Sequence, residues 1–564
     1  MKIRPFLFLL LPVLLTATLS PAPSDAQKQK AFAEIDATIR KEMNAYDVHG
    51  AVAAVFDNNS ILWQKAFGYD DAAHNKPAAL NTPYRIGGLT MLWTATIVLQ
   101  LAERGKVKLD DPVKKYLPEF KLRGGAEKGI TVRHLLSNHS GLPIEWYREN
   151  DDRAPLFEYL KNEHPIAKPG TRYLRSMLDY EVIGHLIERV SGKSLDSLFE
   201  NNLFLPLGMN DSRLAGKNCA DPTAGKGFIL RDKKVKRFEN PSCRSRATAG
   251  GISTVYDLSR FMQALFNGGW TGSGRILNDA SLKQLFSNQY PGNPDDLAFK
   301  SALGYYADYF PIAEKNIAAI GSMDGFVTVI AALPDRKTGF IALGNTDSFI
   351  LGAPKTASRA VTLLGLLHGM KPSALPETRP MEKSDIERLR NCAGRYVGNG
   401  FAVDVTMAGD TPLVTMGNQE MTLAPVSKNR FRLVKQLFFW MKEYYIELRE
   451  QPDGSVAAVL SVQLEEYGFP IMVFRRPPET NYPAGVAAFI GGYRPKSMPK
   501  GMAERIRFPE FQIRWDGKWL VAETNREKVI VTPAAADTLL ADTMNIHFAK
   551  GSATIGGITY EKWF

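Results

Sequence analysis

The sequence is poor in cysteine and has no long run of one charge sign. Its 564 residues include three cysteines, so disulfides cannot be the main support of the fold. Lys and Arg outnumber Asp and Glu by 70 to 59, but the basic residues are scattered and form no stripe typical of nucleic-acid binding. The composition, 45% hydrophobic and 23% charged, is that of an ordinary folded chain of about two to four domains.

The motifs of several common chemistries are also missing. The eight histidines show neither H-x-H nor H-E-x-x-H spacing, and the sequence contains neither G-x-S-x-G nor a Walker A loop. We therefore expect no metal site, no cofactor and no nucleic-acid partner. The oligomeric state is not indicated by the sequence.

Residues 1–26 have the three parts of a secretory signal peptide. A basic start precedes an apolar run over 6–19, and small residues stand at Ser24 and Ala26. We predict cleavage after Ala26 and a periplasmic or secreted protein with no integral membrane segment after cleavage. The alternative is a membrane anchor, although the apolar run is short and interrupted by proline.

Export would permit disulfide formation. Cys219 and Cys243 lie in one Gly- and Lys-rich segment, where a bridge could close a loop. Three unpaired thiols are the alternative, and Cys392 has no obvious partner in either case.

The pattern over 27–368 alternates hairpins with helices. Apolar runs at 51–56 and 61–67 flank a turn-rich loop, and a second pair at 327–333 and 339–343 is joined by P-D-R-K. Helical spacing is present at 31–46, 89–104, 179–190, 254–266 and 354–367. These elements predict an α+β domain, an antiparallel sheet with helices packed against it.

The pattern changes after a Pro-, Ser- and charge-rich segment, 369–386, which we interpret as a linker. Short alternating strands follow and predict an all-β region of lipocalin-like barrels. The segment A-G-R-Y at 393–396 resembles I-G-G-Y at 490–493. This weak repeat favours two barrel domains, 387–478 and 487–564, although one larger barrel would also fit.

Several short segments of the first 370 residues occur together in a characteristic order. They are R-I-G-G-L-T-M-L-W-T-A at 85–95, L-D-D-P at 109–112, K-Y-L-P at 115–118, I-T-V-R-H-L-L at 130–136, S-G-L-P at 140–143, P-G-T-R at 169–172, L-P-L-G-M at 205–209, A-G-G at 249–251 and G-F at 325–326. Together they resemble the serine β-lactamase-like family of penicillin-binding proteins, class C β-lactamases, esterases and D-aminopeptidases. The resemblance implies a β-lactamase-like domain at 27–368.

Active members of this family use three motifs. The first, S-x-x-K, opens a helix and places a Ser nucleophile one turn before the Lys that activates it. The second, Y-x-N, supplies a proton carrier and a contact to the substrate amide. The third, H/K-x-G, lies on the strand beside the scissile bond.

The flanking segments are intact here, but the chemical positions are replaced. Gly88 and Met91 stand at the Ser and Lys positions, Arg175 and Met177 at the Tyr and Asn positions, and Ala319 at the His or Lys position, so that only Gly321 of the third motif remains. Glycine has no oxygen to attack with, methionine cannot transfer a proton, and arginine stays protonated and cannot act as a base. We therefore assign no catalytic residue.

The same positions are candidates for ligand binding. Two methionines make the old pocket more apolar and adaptable, although drift in an unused pocket would give the same replacements. The candidate ligand-binding residues are Gly88, Met91, Arg175, Ser176, Met177, Ala319, Gly321 and Ser322. A buried cation needs a partner, so we expect Arg175 to meet Asp179, Asp324, solvent or an acidic ligand.

Three functions remain open from the sequence. The favoured hypothesis is an exported, catalytically inactive scaffold that binds a ligand or partner, with cell-wall peptides as the ligand that the resemblance implies. The first alternative is a serine hydrolase or peptidase with a non-standard nucleophile, such as Ser176 or Ser322; the S-x-x-K match at 497–500 contains a proline and does not predict a helix start. The second alternative is an interaction protein that acts through its C-terminal β domains.

Overall fold

The computed structural model of the chain describes residues 23–562 apart from 72–74, 145–155, 217–220, 222, 232–233, 239–244, 292, 294–299, 311, 372–377, 399–400, 417–418, 435–442, 451–455, 465–466, 476–490, 496–510, 516–519, 524–527, 536–537, 541–544, 550–551 and 556–557. Most of the predicted signal peptide lies outside the described residues, as do Cys219, Cys243 and the S-x-x-K match at 497–500. The signal peptide and the possible bridge therefore stay predictions.

All five predicted helices of the first domain are present, and local signals fix their ends. Ser24 and Gln27 form a capping box at the first helix, each side chain accepting from the other's backbone N–H, and the predicted cleavage after Ala26 would remove Ser24 from this cap. Gly192, at positive φ, ends the helix that begins at Met177. The helices up to residue 370 are α1 Asp25–Ala45, α2 Thr90–Glu103, α3 Val132–Leu136, α4 Leu156–Leu160, α5 Met177–Ser191, α6 Leu195–Phe199, α7 Leu205–Leu207, α8 Arg246–Ala249, α9 Val255–Phe266, α10 Asp279–Phe286 and α11 Ala353–Leu367.

The described strands of this domain form one large antiparallel sheet, one three-stranded sheet and two short pairs. They are β1 Gly50–Asp57, β2 Ile61–Asp71, β3 Lys76–Pro77, β4 Tyr84–Arg85, β5 Arg213–Leu214, β6 Phe228–Arg231, β7 Lys234–Arg237, β8 Gly251–Ser253, β9 Trp270–Thr271, β10 Gly274–Arg275, β11 Lys300–Ser301, β12 Tyr306–Ala307, β13 Ile317–Met323, β14 Phe326–Leu333 and β15 Thr338–Gly344. The large sheet has the order β11-β12-β13-β14-β15-β1-β2-β3. Both predicted hairpins, β1–β2 and β14–β15, are confirmed.

The large sheet is covered by helices on both faces, so its central strands are buried on both sides. Along β1, Val52 and Phe56 belong to the core that contains α2, α5 and α9. The alternate residues Ala51 and Val55 belong to the core of α1 and α11. This alternation follows from the two-residue period of a strand, and it makes the sheet the middle layer of three.

Helix α2 is the buried support of the domain. Every residue from Thr90 to Leu101 is buried, and the four polar side chains among them donate to backbone carbonyls. Trp93 packs edge-on against Phe199 and Phe204, with ring centroids 6.1 and 4.9 Å away. A 3₁₀ turn, Gly87–Leu89, leads into α2 and places its first turn against β13.

The C-terminal region is all-β after one helix. Helix α12, Lys383–Asn391, begins inside the segment predicted as a linker, because Glu382 and Asp385 supply a capping box that the composition does not reveal. The strands β16 Gly394–Gly398, β17 Phe401–Ala408, β18 Thr411–Met416, β19 Gln419–Pro425, β20 Arg430–Leu433, β21 Glu443–Glu450, β22 Val456–Leu464 and β23 Tyr467–Arg475 follow. They form a closed antiparallel barrel in which β16 pairs with β23.

The last strands form a second, separate sheet. They are β24 Gly491–Pro495, β25 Phe511–Trp515, β26 Leu520–Glu523, β27 Lys528–Ile530, β28 Thr532–Ala535, β29 Thr538–Leu540, β30 Asn545–Ala549, β31 Ser552–Ile555 and β32 Ile558–Lys562. Their order is β27-β26-β25-β24-β32-β31-β30-β29-β28. In each unit the first strand pairs with the last, β16 with β23 and β24 with β32. The related segments of the sequence repeat lie at the first strands of the two units.

The second sheet contacts the first domain through side chains. Nη1 of Arg123 donates to Oγ1 of Thr538 at 3.1 Å, and Nε2 of His547 lies 3.2 Å from Oε1 of the buried Glu163. Thr538 and His547 are also hydrogen-bonded to each other at 3.2 Å. None of the helices in the described ranges combines the length and the hydrophobicity that crossing a bilayer requires.

Candidate functional site

Three segments that are distant in sequence meet at the N-terminal end of α2. They are the 3₁₀ turn Gly87–Leu89, the strand β13 and the segment that precedes α5. The close approach of the first two requires a glycine at 321, since a Cβ there would overlap the carbonyl oxygen of Ile86 and lie 3.0 Å from the amide nitrogen of Gly88. Gly321 is therefore explained by packing.

The segment before α5 is fixed by hydrogen bonds to the loop at 138–143. The backbone N–H of Leu174 donates to the carbonyl of Asn138 at 2.8 Å, and Oγ of Ser176 donates to the carbonyl of Pro143 at 2.6 Å. Arg175 lies between these two anchors, so the backbone on both sides of it is held. Its side chain is directed toward the first turn of α2.

The guanidinium of Arg175 occupies the space beside Gly88. A Cβ atom on Gly88 would lie 2.5 Å from Nη2 of Arg175, closer than any carbon can approach without displacement. The same Nη2 donates to the carbonyl oxygen of Ile320 at 2.6 Å, and Nη1 donates to the hydroxyl of Tyr306 at 3.3 Å. Position 88, which the resemblance assigns to the nucleophile, therefore faces a cation.

The charge of Arg175 is held by neutral oxygens. Burial lowers the pKa of this guanidinium, but the oxygens of Tyr306 and Tyr173 act in the opposite direction, and the net pKa lies above its ordinary value. The Tyr306 ring also stands 5.9 Å from the guanidinium carbon. Arg175 is thus a permanent cation and cannot serve as a base.

Neither carboxylate that the sequence offered as a partner pairs with Arg175. Asp179 accepts from Nδ2 of Asn138 at 2.9 Å and from the hydroxyl of Ser140. Burial raises the pKa of the Asp179 carboxyl well above its ordinary value, although both donors act against the shift. Asp324 lies 3.9 Å from Arg85 in a buried ion pair. The expectation that Arg175 meets Asp179 or Asp324 is wrong, because these carboxylates are directed to other donors.

The cavity that remains at this point is small. Its volume is about 20 Å³, close to what a single water molecule needs. Its wall is formed by Met91, Asn138, Tyr173, Arg175, Ser301, Ala302, Gly304, Tyr305, Tyr306, Ala319 and Ile320. The chain's own side chains therefore leave little open space beside Gly88.

The structure brings together five of the eight candidate residues. Met91, Arg175 and Ala319 line the cavity, while Gly88 and Gly321 lie directly behind it. Met91 and Ala319 are buried, and neither carries a group that could transfer a proton. The other four positions therefore form one wall around the guanidinium of Arg175.

The other three candidates are not part of that wall. Ser176 is fully buried, and its hydroxyl is engaged by the carbonyl of Pro143. Met177 opens α5, and its carbonyl accepts from Thr248 at 3.1 Å. Ser322 is exposed near the end of β13. In the part of the chain with a described structure, neither serine hydroxyl is bonded to a His or Lys.

Two groups at the site were not singled out from the sequence. Tyr306 and the carbonyl of Ile320 are the acceptors that hold Arg175, and Tyr173 donates to the Tyr306 hydroxyl at 3.0 Å. The aromatic run at 305–309 was the available signal. It could not be assigned to the site from the sequence, because β12 is brought beside Arg175 only by its pairing with β13 in the large sheet.

The histidines near this site have structural partners. Nδ1 of His134 accepts from the backbone N–H of Thr131 at 3.1 Å, which caps α3. The His139 ring is buried and stacks on Tyr290 at 4.1 Å between centroids. Within the described ranges, no group of three or more His, Cys, Asp or Glu residues is arranged to hold a metal ion.

Comparison with known proteins agrees with this fold. The family model described as Beta-lactamase matches residues 35–361. Penicillin-binding protein 4* of Bacillus subtilis is 24% identical over 419 residues, which cover 69% of this chain and 88% of that protein.

Two solved structures are similar over large parts of the chain. The octameric penicillin-binding protein homologue from Pyrococcus abyssi has a TM-score of 0.52 and 23% identity, covering 78% of this chain and 99% of that one. The class C β-lactamase from Rhodobacter sphaeroides has a TM-score of 0.50 and 18% identity, covering 58% and 99%. At these identities the structural likeness concerns the fold alone.

Proposed function

Because this chain belongs to the β-lactamase family, we propose that it is an exported member that has lost acyl transfer and keeps the fold as a binding scaffold. The observation that carries the proposal is the contact at Gly88. Acyl transfer in this family begins with attack by a serine oxygen, and position 88 has no side chain. The Nη2 atom of Arg175 stands in the space that the serine would need.

The loss extends to the groups that would move protons. Met91 replaces the activating lysine, and Arg175 replaces the tyrosine of the second motif. In a well-studied serine protease, loss of the nucleophile alone costs roughly a millionfold in rate, and further losses in the same unit add little. Several replacements in one catalytic unit support the loss of the whole acyl-transfer mechanism.

We propose cell-wall-derived peptides as the ligand class. The support is the likeness to proteins named as penicillin-binding, together with the predicted signal peptide, which would place the chain outside the cytoplasm. The cavity admits about one water molecule, so such a ligand would bind at its rim and not fill it.

A second candidate is an interaction protein that binds through its C-terminal sheets. The small cavity favours it, because little of a ligand could be enclosed at the old pocket. A hydrolase that uses Ser176 is less well supported, since that hydroxyl is fully buried and donates to a carbonyl.

The proposal is tested by intact mass after incubation with a penicillin and with a fluorophosphonate. An active penicillin-binding protein of the family, which retains its acyl-enzyme, serves as the control that must be fully labelled. We expect no adduct on this chain. A stoichiometric adduct would contradict the loss of acyl transfer, and peptide mapping would then begin at Ser176 and Ser322.

The binding role is tested by thermal unfolding with and without muropeptides. A ligand that binds only the folded state raises the midpoint, and the rise grows with ligand concentration. We expect such a rise. An unchanged midpoint, together with the absence of an adduct, would favour the interaction protein.

A further inference from the structure

Arg175 differs from comparable arginines of this chain in lacking a carboxylate partner. Arg133, Arg213 and Arg395 are likewise half-buried, and each binds both oxygens of an aspartate at distances of 2.7–2.9 Å. Throughout the described ranges, no carboxylate forms an ion pair with Arg175, whose hydrogen bonds go to the Ile320 carbonyl and the Tyr306 hydroxyl.

This arrangement leaves binding capacity at the guanidinium. An arginine side chain has five N–H donors in a planar fork that matches the two oxygens of a carboxylate. Two of these donors are used by neutral oxygens, and the side chain is only half-buried. The half-buried guanidinium is partly shielded from water, so its attraction for an incoming anion is screened less here than at an exposed arginine.

The wall beside Arg175 is aromatic and carries hydroxyl groups. Tyr173 and Tyr306 are hydrogen-bonded at 3.0 Å, and the ring of Tyr309 lies 5.1 Å from that of Tyr306. Burial raises the pKa of both Tyr173 and Tyr309, so these phenols keep their hydrogens at neutral pH. They are therefore neutral and do not repel an anion.

We propose that Arg175 and the adjoining wall of Tyr173, Tyr306 and Tyr309 form a binding site for the carboxylate group of a ligand. This inference rests on the proposed binding function and names the chemical group recognised. A cavity of about 20 Å³ admits no more than part of one carboxylate, so the remainder of the ligand lies outside, against the half-buried tyrosine rings. The guanidinium does not have to leave the Ile320 carbonyl.

The test is a titration of the full chain with N-acetylglycine and with its neutral amide, N-acetylglycinamide, at constant ionic strength. Binding is followed by calorimetry or by protein-observed NMR. The two probes differ only in the charged group. We expect N-acetylglycine to bind and the amide to bind at least about tenfold more weakly, the ratio for loss of one charge-assisted hydrogen bond.

Variants assign the binding to the proposed residue. Arg175→Gln removes the charge and should weaken N-acetylglycine binding at least about tenfold, while Arg175→Lys keeps the charge but not the fork and should give an intermediate loss. Lys168→Gln is the matched control, because it removes an exposed positive charge from the same loop and should change the affinity less than twofold. Far-UV circular dichroism checks that each variant is folded.

Several results would overturn the carboxylate site. They are equal binding of the amide, unchanged binding by folded Arg175→Gln, an equal loss in Lys168→Gln, or no binding of N-acetylglycine at tens of millimolar. The intact-mass experiment separates this failure from that of the proposed function. A covalent adduct overturns the inactive scaffold, whereas absent carboxylate binding without an adduct overturns only the role of Arg175.

Discussion

Helix α2 connects two regions whose residues have different roles, a buried framework and the cavity. Its body, from Leu92 to Leu101, is buried against neighbouring helices, and its side chains have packing partners on every side. Its entry, at Gly88 and Met91, faces the cavity, and the resemblance assigns these two positions to reactive groups of the family. The difference teaches that this fold forms with neither a serine at position 88 nor a lysine at position 91.

Two arginines show the same contrast between the framework and the cavity. Arg213, on β5, binds both oxygens of Asp221 at 2.7 and 2.9 Å. Arg175, at the cavity, is held by a carbonyl and a hydroxyl. A charge in the framework is thus neutralised within the chain, while the charge at the cavity is not neutralised by any described residue.

The largest expected loss of stability is in the framework. Trp93→Ala should lower the free energy of unfolding by about 3–5 kcal/mol, because Trp93 is fully buried between Phe199 and Phe204. Chemical denaturation measures this change. Trp270→Ala, at a side chain that is 59% exposed, is the control and should stay within about 1 kcal/mol. Equal effects of the two variants would show that α2 is not the support described.

The second largest expected loss of stability is at the junction of the framework and the cavity. Gly88→Ser should lower the free energy of unfolding by about 1 kcal/mol, because the new side chain displaces the Arg175 guanidinium from the Ile320 carbonyl. It should also form no adduct with penicillin, since Met91 supplies no base.

A double-mutant cycle tests the cause of that loss. In an Arg175→Ala background, Gly88→Ser should be neutral or stabilising by up to about 1 kcal/mol, as expected when a glycine is replaced without a clash. The same destabilisation in both backgrounds would mean that Arg175 does not occupy the space. Acylation of Gly88→Ser would mean that another group activates the serine.

The two arginines should respond differently to removal of their charge. Arg213→Met should lower the free energy of unfolding by about 1 kcal/mol, because Asp221 loses a bidentate partner. Arg175→Met should lower it by less, about 0.5 kcal/mol, because the lost hydrogen bonds go to the neutral oxygens of Ile320 and Tyr306 and the apolar chain of similar length keeps the packing. Denaturation of both variants in one buffer gives the comparison, and a larger loss for Arg175→Met would reverse it.

The smallest expected effect depends on pH. The hydrogen bonds from Arg213 hold the pKa of the Asp221 carboxyl below its ordinary value. A carboxyl whose folded pKa is lowered adds stability above its unfolded pKa of about 3.9 and loses that stability as the pH falls toward the folded value. Asp221→Asn should therefore cost a few tenths of a kcal/mol at pH 7, with screening by solvent, and progressively less below about pH 4. A cost that does not change with pH would exclude this linkage.

Much of the fold could be predicted from the sequence. The helices α1, α2, α5, α9 and α11 and both hairpins of the large sheet follow from periodicity and turn residues. The repeat at 393–396 and 490–493 correctly located the first strand of two β units. The start of α12 was missed, because its capping side chains, Glu382 and Asp385, read as part of a charged linker.

The candidate site was predicted in part. From the flanking segments the sequence predicted that Gly88, Met91, Arg175 and Ala319 belong to one site, and the structure places them together; that they replace catalytic groups stays a prediction. It could not exclude Ser176, whose hydroxyl turns to the Pro143 carbonyl, since side-chain direction depends on a loop that is remote in sequence. It also could not assign Tyr306, which reaches the site only through strand pairing.

The sequence by itself determined that no serine stands at position 88 and that a permanent cation stands at position 175, because residue identity and ionisation chemistry need no coordinates. Only the tertiary structure decided that these two positions touch and that Arg175 binds oxygens of Ile320 and Tyr306 in place of Asp179 or Asp324. The physical reason is that a partner for a buried charge is chosen by distance and direction, which arise when α2, β12, β13 and the segment before α5 pack together.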